Sequence, residues 1–228
     1  MKRFLHRIAD NRDEASLSAA FRRRRFALFL ALIASFPRPV TILDVGGEPR
    51  FWEVMGLAGD PDFQVVLLNQ KPFHDLPSNL SSQVGDAVDL SRFPDHHFNA
   101  VLSNSVIEHL GSYARQQSMA AEVQRVAQCY FIQTPNRHFP LEPHYLVPFF
   151  QYFPEWLQIA LVQSFSLGWY SQIPVREQAA RHIRSQRLLV ERELRALFPN
   201  GDLYKESALG LVKSWIAYGP VEAGYDIV

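Results

Sequence analysis

The sequence predicts an α/β fold with a mostly parallel sheet, and three observations carry that prediction. The first is the run Thr41-Ile42-Leu43-Asp44-Val45, which ends in Gly46-Gly47. An apolar β-branched run of this length reads as a strand buried on both faces, entering a tight turn. The second is repetition: further short apolar runs follow and alternate with helical patterns, as crossover-connected parallel strands do. The third is that these runs end in short polar residues: Asn69, then Asp86-Ala87, then Ser103-Asn104. In open α/β sheets, ligands sit in the crevice outside the carboxyl ends of the strands.

Taken in order, residues 15–36 read as a helix, with Phe21, Phe26, Phe29, Leu32 and Ile33 as apolar surface and Pro37 and Pro39 as its stop. Within it, Arg22 to Arg25 form a basic cluster. It is read either as a solvated helix face or as a contact to an anionic substrate or a peripheral membrane surface. Residues 51–55 follow the glycine turn as a short helix. Strands are predicted at 63–68, 82–86, 98–103 and 128–133, with a helix at 112–126 before the last of these. Residues 140–169 are interrupted by Pro143, Pro148 and Pro154 yet rich in aromatics, which argues for a helical cap over the crevice. A helix at 185–198 and strands at 204–209 and 212–218 close the chain, the last strand entering the sheet antiparallel. One domain is expected: an N-terminal helical segment (1–39), a core (40–136), an aromatic cap (137–184) and a C-terminal helix with a strand pair (185–228).

Composition removes several classes of function. Lys+Arg and Asp+Glu both count 23, so no global basic field points to nucleic acid. A single cysteine, Cys129, rules out an internal disulfide and any Cys-rich zinc site, and its apolar neighbours predict burial. His96 and His97 lack a further ligand at metal spacing, so no metal is expected. The longest apolar run, residues 26–36, is too short to span a bilayer, and Asp10, Arg12, Asp13 and Glu14 interrupt any signal-peptide core. A cytoplasmic location is the expectation.

The strand-end residues and two later stretches carry a resemblance. Phe98-Asn99-Ala100-Val101-Leu102-Ser103-Asn104-Ser105-Val106-Ile107-Glu108-His109-Leu110 resembles the fourth-strand motif of the class I S-adenosylmethionine-dependent methyltransferases, with Asn99 where an aspartate is usual. Thr134-Pro135-Asn136-Arg137, Phe139-Pro140 and Glu142-Pro143-His144 resemble the segment after the fifth strand in a bacterial subgroup of these enzymes (type 11/12-like). The resemblance implies a Rossmann-like three-layer sandwich, a seven-stranded sheet with an antiparallel last strand, and S-adenosylmethionine as cofactor, leaving S-adenosylhomocysteine as product. It places Asp44, Gly46 and Gly47 at the amino-acid end of the cofactor, Asn69 at the ribose, Asp86 and Ala87 at the adenine, and Ser103 and Asn104 beside the sulfonium. Two departures stand out. Glu48 and Arg50 occupy positions where further glycines are usual, and Asn69 replaces an acid, keeping hydrogen bonding without the charge. The absence of G-x-G-x-x-G also disfavours a dinucleotide site.

Methyl transfer is an in-line displacement that positioning alone can accelerate strongly. A protonated oxygen or nitrogen acceptor additionally benefits from a base. His144, with Glu142 to orient it, is the first candidate; the alternative is a histidine that anchors the cap. His109 and Glu108 are candidates at the start of the following helix, against a purely structural hydrogen bond there. Arg137 is read either as a partner for an anionic substrate group or as pairing with Glu142 or a backbone carbonyl. The aromatic cap suits a small or lipid-like acceptor. The rival function is a non-catalytic cofactor-binding protein that acts through partners.

Overall fold

A computed structural model describes residues 17–220. Its sheet has seven strands in the order β3-β2-β1-β4-β5-β7-β6. They are β1 (Val40–Val45), β2 (Phe63–Asn69), β3 (Leu80–Val84), β4 (Phe98–Asn104), β5 (Ala127–Pro135), β6 (Asp202–Ala208) and β7 (Leu211–Gly219). The pairs β1/β2, β1/β4, β2/β3 and β4/β5 are parallel, and β7 is antiparallel to both β5 and β6. Helices α1 (Leu17–Leu32), α2 (Pro49–Val54), α3 (Tyr113–Val126), α4 (Glu155–Ser164), α5 (Arg176–Arg184) and α6 (Glu191–Leu197) complete the fold. The strand order reverses between β1 and β4, which opens a crevice at their carboxyl ends.

Two apolar layers sandwich the sheet. On one face α1 and α2 bring Phe26, Phe29, Leu32 and Trp52 onto Ile42, Leu67, Leu102 and Phe131. On the other, α3 and α6 bring Met119, Val123, Leu194 and Leu197 onto Leu43, Val101 and Ile132. β1, β4 and β5 are buried almost throughout, which is why they read as unbroken apolar runs rather than as alternating ones. The cap holds a core of its own, with Tyr145, Phe150, Ile159, Val162, Ala179 and Ile183 at its centre.

Several boundaries differ from the sequence reading. The first helix ends at Leu32, and residues 15 and 16 lie outside the described residues. β3 begins two residues early, at Leu80, and stops at Val84, so Asp86 sits on the turn beyond it. β5 runs on through Thr134-Pro135, because β7 pairs with it up to Ser214. The helix expected at 185–198 starts only at Glu191. Residues ahead of it are held out of helix by tertiary bonds: Arg187 N donates to the Glu108 carbonyl, Gln116 donates to the Arg187 carbonyl, and Arg137 N donates to the Leu189 carbonyl.

Candidate active site

The floor of the crevice is the turn after β1. Gly46 has a positive φ of 75°, and a Cβ there would meet Val106. At Gly47 a Cβ would come within 2.1 Å of the Asp44 carboxylate, so both glycines are required by close approach. The Asp44 side chain lies under this turn, 2% exposed, and its Oδ2 accepts a 2.8 Å hydrogen bond from Trp52 Nε1. Burial pushes its carboxyl up to about 7, against a smaller lowering by the Trp52 bond. Asn69, at the end of β2, donates through Nδ2 to the Gly47 carbonyl at 3.1 Å and accepts from Gln70 N at 2.8 Å. Asp86 is exposed and pairs with Arg115 at 2.8 Å, with Ala87 buried beside it. Ser103 is fully buried and its hydroxyl donates to the Val45 carbonyl, bracing β4 against β1.

The end of β4 shows what the arginine cluster does. Arg25 reaches over from α1 and donates through Nη1 to Asn104 Oδ1 at 3.1 Å and to Gln133 Oε1 at 2.9 Å. The same guanidinium pairs at 3.0 Å with Glu206, which is almost fully buried on β6 and also accepts a short bond from Ser214. The solvated-face reading is therefore corrected for Arg25, which ties α1 to three strands, while Arg23 and Arg24 are exposed. Sequence reasoning missed Arg25 and Glu206 individually. The available signal was an acid inside a strand, which needs a partner when buried.

The opposite wall is built from the segment after β4 and the loop after β5. Glu108, on the 3₁₀ turn Ile107–Leu110, is fully buried. Its Oε2 accepts from Thr134 Oγ1 at 2.9 Å, while its Oε1 has no hydrogen-bond partner. His144 approaches that oxygen to 4.0 Å through Nε2. The other edge of the ring, Nδ1, lies 2.7 Å from Glu142 Oε1, and Glu142 Oε2 accepts from the backbone N–H of His144 and Tyr145. His109 meets His144 edge-on, ring centroids 4.8 Å apart. Burial raises the carboxyl pKa of Glu108, partly offset by His144. Burial alone would lower His144, but its hydrogen bond to Glu142 and the charges of Glu142 and Glu108 outweigh this and raise it. Desolvation, followed by the nearby His144 and His182, holds His109 low.

The structure thus brings together His144, Glu142, His109 and Glu108, the four candidates from the sequence. The loop after β5 also places Arg137 beside them, on a cavity of about 170 Å³ shared with Glu142, Tyr145, Gln186 and Arg187. Arg137 and Glu142 form no ion pair among the described residues, so that reading of Arg137 is corrected. His96 and His97 lie apart and exposed, His97 stacked on Phe93, and Cys129 is buried with its thiol pushed up to about 12. Trp52 was missed as the partner of Asp44, since a helix residue eight positions away carries no motif.

A family model described as a methyltransferase domain matches residues 48–128, the stretch that carries α2 through the start of β5. Over this segment the chain resembles the methyltransferases. The cofactor that goes with this family is S-adenosylmethionine. Among solved structures, the Burkholderia thailandensis 1,6-didemethyltoxoflavin-N1-methyltransferase, with bound 1,6-didemethyltoxoflavin and S-adenosylhomocysteine, superposes at a TM-score of 0.53 with 12% identity, over 95% of this chain and 84% of that one. A SAM-dependent methyltransferase from Methanosarcina mazei superposes at 0.50, with 12% identity, over 81% of this chain and 93% of that one. At such identities the likeness is one of methyltransferase fold. The chain spans about half, 47%, of a further methyltransferase structure, from Galdieria sulphuraria, which overlaps more loosely at 0.42 and 20% identity over 54% of this chain. No curated protein matches the chain in sequence. No helix among the described residues is long and apolar enough to cross a membrane.

Proposed function

We propose that this methyltransferase binds S-adenosylmethionine along the Asp44–Gly47, Asn69 and Asp86 side of the crevice and transfers its methyl group to a small or lipid-like acceptor on the Glu108–His144 side. The observation that carries the reading is the matched methyltransferase segment lying on the strand order that opens a crevice beside Gly46 and Gly47. A Cβ at Gly46 would strike Val106 and one at Gly47 the Asp44 carboxylate, so glycine at both positions sets the shape of the turn that the donor meets. Asp86 faces solvent at the rim, where it can exchange Arg115 for the adenine amino group. Transfer is driven by holding acceptor and methyl carbon in line.

On the acceptor side, Glu142 fixes the Nδ1 edge of His144 and leaves Nε2 turned toward Glu108. The His144 ring is the acceptor-facing group in this proposal. Arg137 makes no side-chain hydrogen bond among the described residues and lines the neighbouring cavity, which suits an acceptor with an anionic group. The exposed aromatics Phe149, Trp156 and Phe165 put the lipid-like part of this reading on the cap.

The deciding experiment is calorimetric titration with S-adenosylmethionine and S-adenosylhomocysteine, with NAD as control. Saturable binding of the first two and none of NAD is expected, followed by methyl transfer in an acceptor screen that includes anionic phenols and lipids. Absence of binding by folded protein would remove the function and leave the fold alone. Binding without transfer to any acceptor would favour a cofactor-binding protein that acts through partners.

A further inference from the structure

The acceptor-side cluster has an unfinished coordination pattern. Glu108, His109 and His144 each offer one ligand atom, and these atoms all lie within 4.8 Å of one another. We propose that the three side chains form the protein part of a divalent transition-metal site, which oxygen donors of the methyl acceptor complete. Two imidazoles and one carboxylate are a donor set that zinc, manganese and ferrous ions accept, with positions left open for a further ligand.

The second observation is the state of Glu108. It is fully buried, and Thr134 satisfies only one of its two oxygens. The other, Oε1, has no hydrogen-bond partner and points at His144 Nε2 from 4.0 Å. That gap is too long for a hydrogen bond. It suits two ligands on either side of one ion, each about 2.0–2.2 Å from it. A buried carboxylate oxygen left unpaired is costly, and a cation at this point removes the cost.

His144 is also held as a metal-binding histidine is. Its remote nitrogen lies on the Glu142 carboxylate at 2.7 Å, and such an outer carboxylate fixes both tautomer and ring orientation of a ligating histidine. Its backbone is gripped from two sides, by Glu142 Oε2 on the N–H and by Trp169 N–H on the carbonyl. Gly168 makes that second grip possible, since a Cβ there would stand 2.2 Å from the His144 carbonyl oxygen. His109 is exposed, so an ion can enter from the crevice. With the cation bound, His144 serves as a ligand rather than as the general base that the sequence suggested. Only the acceptor's part in the site rests on the methyltransferase reading; cation binding does not.

The test is titration of chelator-stripped full-length protein with Zn²⁺ by calorimetry and with Co²⁺ by visible absorption, beside a separate S-adenosylmethionine titration. One equivalent of either cation is expected, with cobalt ligand-field bands and a rise in Tm. His109→Ala, His144→Ala and Glu108→Gln should each weaken binding at least tenfold, while His97→Ala should not. If His144→Ala proves misfolded by circular dichroism, His109→Ala decides, because His109 is exposed whereas His144 is half-buried. Failure of folded wild-type protein to bind a stoichiometric cation overturns the site, as does binding that survives His109→Ala unchanged. S-adenosylmethionine binding without cation binding would sink the metal site and spare the methyltransferase; the reverse result would do the opposite.

Discussion

The two walls of the crevice are built on opposite terms. On the proposed donor wall Asp44, Asn69, Asp86 and Asn104 have each found a partner within the chain: Asp44 on Trp52, Asn69 on Gly47, Asp86 on Arg115, Asn104 on Arg25. On the acceptor wall the protein satisfies its own groups only in part, and the fully buried Glu108 keeps one oxygen without a hydrogen bond. A self-satisfied wall is a shaped, rigid surface that binds through backbone and shape. A wall with an unpaired buried group is unfinished until something arrives, because such a group costs free energy for as long as it stays unpaired.

The largest expected effect breaks the donor wall. Trp52 is fully buried, packed edge-on to Phe26 and Phe51, and is the hydrogen-bond donor to Asp44. Trp52→Ala should cost about 3–5 kcal/mol for the lost packing, and about 1–3 kcal/mol more for the orphaned carboxyl. Urea denaturation measures it, and Trp52→Phe separates the two parts by keeping most of the packing. A loss below about 1 kcal/mol in Trp52→Ala would show that the turn does not depend on this brace.

A pH series comes next in size. Asp44 titrates near its ordinary value of 3.8 when unfolded and at about 7 when folded. Between those limits the folded state holds a proton that the unfolded state has released. The contribution of this group to unfolding free energy therefore falls as pH rises through the window, and is level above it. The total is on the order of 4 kcal/mol. Asp44→Asn should flatten that part of the slope and bring a relative gain in stability above pH 7. An unchanged pH profile in Asp44→Asn would mean that the carboxyl is ionised without penalty.

The walls also differ in how far they could be read from the sequence. The sheet was legible because β1, β4 and β5 are buried on both faces and so appear as continuous apolar runs. The acceptor candidates were legible because they lie in two short motifs, Glu108-His109 and Glu142-Pro143-His144. That these motifs meet was not legible, since it depends on the loop after β5 folding back under its own cap. On the donor wall the residue types were visible but their partners were not. Arg25 and Glu206 are 181 positions apart, and only α1 packing across the sheet joins them. The break in the predicted helix at 185–198 belongs to the same class: bonds from Arg187 and Leu189 to distant segments override local helix propensity.

Gly47→Ala tests the floor between the walls. The added methyl would stand 2.1 Å from Asp44 Oδ2, and a buried carboxylate held by Trp52 has little room to yield. A cost of about 1–3 kcal/mol is expected by thermal denaturation, together with weaker S-adenosylmethionine binding by calorimetry. Loss of stability with unchanged affinity would place the donor elsewhere than at this turn.

The smallest expected effect sharpens the contrast most. Asn69 uses both ends of its amide internally, Nδ2 on the Gly47 carbonyl and Oδ1 under Gln70 N. Asn69→Asp keeps the second bond and turns the first into an acceptor facing an acceptor, for a loss of about 1 kcal/mol in the free protein. A carboxylate at this strand end can, however, accept from both hydroxyls of a ribose. The substitution should therefore lower stability and raise S-adenosylmethionine affinity together, converting a self-satisfied group into one that waits for its ligand. That opposition of signs identifies the donor wall as a binding surface whose polar groups have been turned inward. If stability and affinity fall together, Asn69 is a structural clamp on the glycine turn, and the ribose is held by other groups.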